Sequence, residues 1–435
     1  MSAGAIDLLG LITAGEIKEV EVAWADHQGY PRGKRIPAAI FVARLEKGIA
    51  FSDAALSWDY EGDVLDGCKL TGWFSGYPDM FLIPDLATAR RVPWKDGTAL
   101  VTGNLVNDHG VAIRTSPRTV LQRVVARLAE LGYTAKIGAE LEFYLVDDAA
   151  QPQATGIQCY SLAKANELDP CFDDLLHGLN GFVEVEGSNV EYGPAQCEVN
   201  LNHADPVAAA DQAFRLKYGI RELARRQDMV ATFMAKPFNG QSGCSMHLHV
   251  SLWRDGTPVF APEDGSETAI AKHVIAGLLK HLPGITLPGA PTVNSYKRFE
   301  ANSFAPTTAT WGRDNRTCSV RSLLESPSST RIELRTGASD ANPYWATACL
   351  LAAVCAGLEE QGDPGAFGTG NLYEQGELLP TTLIDAVRAI RSDTVIVDLL
   401  GADAVNDLCV ISEREWSAFT TAVTQWDYDR YLKIV

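Results

Sequence analysis

The chain has 435 residues, 46% of them hydrophobic and 21% charged. That is an ordinary globular balance, long enough to bury a sizeable core across two or more domains. A formal net charge of −18 argues against sequence-independent binding to nucleic acid, which needs a basic surface to displace counterions from phosphates. The nine cysteines form no CxxC pair and are irregularly spaced, which predicts reduced thiols in a cytoplasmic protein.

In chain order, MSAGAIDLLGLITAGEIKE lacks a basic n-region and does not read as a secretory signal. VEVAWAD, HQGYPRGK and RIPAAIF predict a hairpin with its loop at Gly29 to Gly33. TSPRTVLQRVVARLAELGY predicts a helix capped by Ser116, with Pro117 in its first turn and Gly132 at its end. A domain boundary is expected near 105–115, where Asn107-Asp108-His109-Gly110 breaks the pattern. Beyond it, strands and helices mix without a βαβ rhythm, so the fold class expected is α+β. Helices are predicted at 206–228, 267–282, 343–359, 381–399 and 412–431, and a flexible loop at 361–370. The apolar stretch Tyr344 to Leu358 is too short to span a bilayer comfortably and reads as a buried helix. No membrane partner is expected.

Four segments alternate so that chemistry-bearing residues share one side of a strand. In KIGAELEFYLV these are Glu140 and Glu142, and in AQCEVNL they are Gln196, Glu198 and Asn200. In SMHLHVSL they are Ser245, His247, His249 and Ser251, and in TRIELRT they are Arg331, Glu333 and Arg335. Any one of these is commonly just a half-buried strand with a solvated face. Together they carry glutamates, histidines and arginines, with Lys136 the one lysine, at the start of the first segment, and Glu191 adds a further carboxylate. Such carboxylates repel one another unless a cation sits among them, and an oxygen-rich donor set suits Mg²⁺ or Mn²⁺ better than zinc. Arginines beside such ions suit a nucleotide phosphate or a substrate carboxylate, which points to two-metal phosphoryl transfer. There is no Walker A or kinase glycine loop, so the ATP scaffold is of another kind.

The same segments, in the same order, resemble the glutamine synthetase family: GAELEFYLV, EYGPAQCE, KPFNGQSGCSMHLHVSL, PTVNSYKRF, NRTCSVR and RIELR…ANPYWATACLLAA. The resemblance covers roughly residues 16 to 430. It implies a small N-terminal β-grasp domain (1–110) and a larger catalytic domain (111–435) built on a mainly antiparallel sheet with helices. It also implies one metal site at Glu142, Glu191 and Glu198 and a second at Glu140, His247 and Glu333. By the same carry-over, ATP contacts fall on Glu186, His249, Ser251, Arg316, Arg321 and Arg331. Glutamate contacts fall on Arg298 and Arg335 with Gly243 nearby, and Arg298, Arg316 and Arg335 are the catalytic arginines. The implied partners are L-glutamate, ATP and an amine, in a homo-oligomer that is a dodecamer of two stacked hexameric rings. Tyr373 stands where some members carry an adenylylated tyrosine, although a plain surface tyrosine is the simpler expectation.

Two departures bear on the amine. Ammonia-using members have a glutamate where NSYKRFEANSFAP places Phe304, and an aspartate where FSDAA places Ser52, with Asp53 one residue later. Both remove negative charge from the place a small cation would occupy, and one inserts an aromatic ring. That suits an organic amine with an apolar body, an alkylamine or arylamine, better than ammonium. The alternative is that Asp53, Asp79 or Glu300 supplies the missing carboxylate and ammonia remains the substrate. A further alternative is a relative that has lost catalysis.

Overall fold

The protein is described by a computed structural model that covers every residue except 1–3, 148, 152–157, 170–172, 174–176, 262–264 and 328. Cys171, counted among the reduced thiols, lies outside the described residues. The other eight cysteines are free.

The first sheet is formed by β1 (Glu19–Ala25), β2 (Pro31–Pro37), β3 (Ile49–Ser52), β4 (Asp79–Pro84), β5 (Arg90–Arg91) and β6 (Thr98–Val106), in the order β2-β1-β6-β4-β3 with β5 also on β6. The hairpin forms as expected, but its loop is shorter: Gly33 is inside β2, opposite Ala23. A side chain there would meet the Val22 carbonyl at 2.4 Å, so glycine serves strand pairing rather than a turn. AAIF is helical, within Ala38–Arg44, instead of extended. One apolar cluster, including Val20, Trp24, Phe41, Met80 and Leu105, lies within this first unit.

The second sheet comprises β7 (Thr134–Val146), β8 (Val185–Val190), β9 (Gln196–Leu201), β10 (Val230–Thr232), β11 (Met246–Arg254), β12 (Thr257–Pro258), β14 (Trp311–Arg313), β15 (Val320–Leu323) and β16 (Arg331–Leu334). Its central order is β14-β15-β16-β11-β7-β9-β8, while β13 (Thr308–Ala309) and β17 (Glu377–Leu378) form a separate pair. Only β14 and β15 run parallel within it among the described residues. The fold is thus mixed α+β with a mainly antiparallel large sheet.

Helices cover the apolar face of that sheet. Pro206–Arg226, Ala269–Gly289 and Pro343–Glu360 contribute Phe214, Ile220, Leu278, Trp345 and Leu351 to one core with Ile137, Leu141, Phe143 and Val250 of β7 and β11. Leaving Trp345 and Phe143 exposed instead would forgo about 1.5–3 kcal/mol for each large side chain. The segment 343–359 is helical and buried as expected. Ser116 occupies the cap position of Pro117–Glu130, yet its side chain makes no capping hydrogen bond.

The C-terminal expectations need correction. The stretch 381–399 splits at Asp393, whose carboxylate caps the second piece, into Leu383–Ser392 and Thr394–Leu400. The stretch 412–431 belongs to two helices, Ala402–Thr421 and Gln425–Tyr431, the latter opened by a Thr424–Asp427 capping box. Among the described residues no helix is long and apolar enough to cross a membrane.

Candidate active site

The polar faces predicted from alternation converge because the strands carrying them are neighbours. In register, Glu142 opposes Glu198, Asn200 opposes Glu140 on β7, and Glu140 opposes His247. Farther along, His249 opposes Glu333 and Glu333 opposes Arg321. Cross-strand partners sit about 4.5–5.5 Å apart at Cβ, so five strands deliver one continuous polar floor.

Glu140 accepts hydrogen bonds from both histidines, at 3.2 Å from His247 Nδ1 and 2.9 Å from His249 Nε2. Burial alone would raise its carboxyl, but the two imidazoles hold it below the ordinary carboxylate range. Glu333 is also buried. Arg335 and His247 overcome that burial and hold it at about 2, and Arg321 donates to it at 2.9 Å. The donor atoms of Glu140, His249 and Glu333 lie within 4.8 Å of one another, and His247 Nδ1 is 3.4 Å from Glu333. Both histidines therefore face the same carboxylates, although the family comparison of motifs divides them between metal and nucleotide.

Glu142, Glu191 and Glu198 behave differently. Burial, then the charge of Glu191, pushes Glu142 up to about 8. Burial, then the charges of Glu140 and Glu142, pushes Glu198 up to about 9, and burial raises Glu191. Their protein partners are few: Ser245 N–H and Gln196 for Glu142, Asn189 for Glu191, and Asn200 for Glu198. Crowded carboxylates of this kind fit a hard cation that restores their charge. Among the described residues, the buried His247 Nε2 and His249 Nδ1 also lack partners.

Two cavities meet over this floor, sharing Glu140 and Asn200. One, of about 530 Å³, includes Glu186, His249, Ser251 and Arg331 in its lining, four of the six residues expected to touch ATP. The other, of about 560 Å³, includes Glu142, Glu191, Glu198, His247, Glu333, Arg335, Arg316, Arg321, Gly243 and Phe304. Arg316 is exposed there, while Arg321 is also drawn to Asp314.

Three expected residues are not brought to these cavities. Arg298 is 1% exposed and donates to the carbonyls of Thr336 and Gly337 and to Ser245 Oγ. It lies behind Gly243, where an added side chain would meet Arg298 Cγ at 2.4 Å. Ser52 and Asp53 lie on the first sheet. Ser52 is exposed opposite Asp79, and Asp53 is buried against Thr71. Glu300 is paired with Lys236 at 2.9 Å. Tyr373 is 6% exposed, so the plain surface tyrosine expected there is a buried one.

Phe304 occupies the rim of the 560 Å³ cavity in a left-handed conformation, φ 59°, which is costly for a bulky side chain. Its ring stacks on Tyr192, with centroids 5.9 Å apart and planes at 24°. Sequence reasoning passed over Tyr192, although it stands inside EYGPAQCE between two carboxylates of the floor.

Residues 114–431 match the family model described as glutamine synthetase, catalytic domain. The chain belongs to the glutamine synthetase family. It is 34% identical to the gamma-glutamylethanolamide synthetase GlnA4 of Streptomyces coelicolor, over 98% of this chain and 95% of that protein. It is also 34% identical to the glutamine synthetase of Pyrococcus abyssi, over 96% of this chain and 97% of that one. Among solved structures, the GmaS/ADP complex superimposes with a TM-score of 0.88 at 28% identity, covering 98% of this chain and 99% of that chain. Glutamine synthetase family enzymes use divalent metal ions and ATP with glutamate and an amine or ammonia.

Proposed function

We propose that this ATP-dependent carbon–nitrogen ligase forms a γ-glutamyl amide from L-glutamate and an organic amine, an alkylamine or arylamine. The observation that carries this reading is Phe304. It lines the cavity against Tyr192, while Glu300, one of the carboxylates that could replace the missing glutamate, is held by Lys236. A rim built of rings offers contact area to a carbon body and no counter-charge to ammonium.

In this reading the γ-carboxylate of glutamate attacks the γ-phosphorus of ATP, releasing ADP and giving γ-glutamyl phosphate. The amine nitrogen then attacks the acyl carbon, and inorganic phosphate leaves. Arg335 faces the cavity and neutralises the substrate carboxylate, while Arg316 and Arg321 face the transferring phosphoryl group. Arg298 supports the Gly243–Ser245 wall. Its Nη2 serves the Thr336 and Gly337 carbonyls, while its Nε has no partner among the described residues and is the donor left for the α-carboxylate. Glu186, His249, Ser251 and Arg331 hold the nucleotide. Mg²⁺ or Mn²⁺ would be held by Glu142, Glu191 and Glu198 at one position and by Glu140, His247 and Glu333 at another, supplying charge stabilisation to phosphoryl transfer.

The division into an N-terminal domain (1–110) and a catalytic domain (111–435) rests on the separate sheets and the separate apolar cluster of the first. A homo-oligomer, a dodecamer of two six-membered rings, is part of the same reading. In it Ser52, Asp53 and Asp79 of one subunit's sheet edge approach a neighbour's cavity.

A second reading, glutamine synthesis from ammonia, is favoured by the equal similarity to the Pyrococcus abyssi enzyme. The deciding experiment measures amine-dependent ADP release with ammonium and with a panel of alkylamines and arylamines, and identifies the product by mass spectrometry. A γ-glutamyl alkylamide or arylamide formed at lower amine concentration than glutamine supports the proposal; preference for millimolar ammonium over every amine defeats it.

A further inference from the structure

Tyr192 is held as a fixed wall. It sits in the turn joining β8 to β9, where Glu191 N–H donates to the Gln196 carbonyl at 2.7 Å and Gln196 N–H to the Gly193 carbonyl at 3.0 Å. The Gln196 side chain closes the same turn, accepting from Gly193 N–H at 2.9 Å. It also donates to the carbonyl of Gly243, another residue of the cavity lining, at 2.9 Å. Gly193 is packed so closely that an added side chain would lie 1.9 Å from the Tyr144 hydroxyl. Tyr192 itself is 59% exposed and belongs to none of the apolar clusters of the described residues. A large aromatic on a rigid turn, in a cavity and stacked on Phe304 alone among the described residues, is positioned for a ligand rather than for stability.

We propose that Tyr192 is a specificity-determining residue for the amine, and that with Phe304 it selects primary monoamines with a compact apolar body over both ammonium and diamines. The inference rests on the organic-amine reading above and names the substrate class within it. The two rings stack on each other with centroids 5.9 Å apart, too close to admit a third layer, so the amine's carbon body packs against the pair from the cavity side. Ammonium has no such body and gains nothing there.

Diamines fail for an electrostatic reason. The carboxylates lining this cavity are Glu140, Glu142, Glu191, Glu198 and Glu333, each set on or beside the strand floor where the cations belong. The cationic side chains of the lining are Arg316, Arg321 and Arg335, and Glu300 is committed to Lys236. A second ammonium there would lose hydration among rings and guanidinium groups without a counter-ion.

The test compares full-length wild type, Tyr192→Ala and Tyr192→Phe at saturating ATP and glutamate, with ammonium, isopropylamine, benzylamine and 1,4-diaminobutane. In wild type, the better of isopropylamine and benzylamine exceeds both ammonium and 1,4-diaminobutane in kcat/KM. Tyr192→Ala raises the KM for that monoamine about tenfold or more, leaves the KM for glutamate and ATP within about twofold, and leaves the ammonium KM unchanged. Tyr192→Phe restores the monoamine KM. If Tyr192→Ala leaves the monoamine KM in place, or if 1,4-diaminobutane is the best substrate, the assignment of Tyr192 and the monoamine class fails while the organic-amine reading stands. If ammonium is the best substrate of the wild type, the organic-amine reading itself falls and this inference with it.

Discussion

Glu142 and Glu198 face each other directly across the β7–β9 ladder, and both carboxyls are raised, to about 8 and about 9. A folded-state value above the unfolded one contributes stability at low pH that is lost as pH rises through the folded value. Metal-free protein should therefore lose stability from about pH 4.5 to pH 9. A hard cation reverses this by favouring the ionised pair. Glu198→Gln is expected to raise the metal-free melting temperature at pH 8 and to remove most of the gain given by Mg²⁺ or Mn²⁺. In wild type that gain is about 2.7 kcal/mol at a hundred times the dissociation constant. Thermal melts with and without each ion check this; an undiminished metal response in Glu198→Gln refutes it.

The pairing of Glu300 with Lys236 separates the two candidate nucleophiles. Were Glu300 the ammonium ligand, Glu300→Gln would raise the ammonium KM sharply. The expected outcome is a change of less than about threefold for any amine. Phe304→Glu, by contrast, places a carboxylate at the rim. It should lower the ammonium KM and raise that of isopropylamine by tenfold or more, since one buried apolar contact accounts for about 1–3 kcal/mol. Steady-state kinetics on both variants decide between these outcomes.

Much of this site was legible because a strand's side chains alternate strictly. Glu140 and Glu142, then His247 and His249, then Glu333 and Arg335, must each share a face wherever their strands sit. What alternation cannot supply is which strands are neighbours; the family's motifs gave which residues should meet, and the order β15-β16-β11-β7-β9 that brings them together is visible only in the fold. Arg298 shows the other limit of a motif, which gives a residue's position in the chain but not the direction of its side chain: here it donates to the Thr336 and Gly337 carbonyls and to Ser245. The Gln425–Tyr431 helix was merged with its neighbour because its boundary depends on a local cap, which a broad apolar period obscures. Tyr192 escaped notice because its partner, Phe304, is more than a hundred residues away.

Arg298 provides a test of wall against ligand. It is almost wholly buried and its guanidinium serves two backbone carbonyls and Ser245. Arg298→Lys keeps the charge but loses the fork that spans those acceptors. Each buried group left unsatisfied costs about 1–3 kcal/mol, so the melting temperature should fall together with kcat/KM for glutamate. A pure contact to the α-carboxylate would instead raise the glutamate KM with the melting temperature unmoved.

Asp26 and His27 are adjacent, buried, and opposed in their response to acid. His27 lies at the junction of the first sheet with the helix Pro343–Glu360, where Trp345 Nε1–H donates to its Nδ1 at 3.3 Å. Burial lowers it to about 4, so the stability it contributes is complete above pH 6.5 and lost as pH falls to about 4. Asp26 is paired with Arg32 at 2.7 Å, yet burial outweighs the pairing and raises it to about 6. Its cost is present above pH 6 and relieved as pH falls toward 3.8. Each effect is at most about 3 kcal/mol, and in the wild type they nearly cancel across the same window. Single substitutions should expose them. Relative to wild type, Asp26→Asn loses stability between pH 6.5 and 4, and His27→Gln, which keeps an acceptor for Trp345, gains it. Chemical denaturation of the three proteins at pH 7, 5.5 and 4.5 measures the slopes, and parallel curves would show that neither group changes its proton affinity on folding.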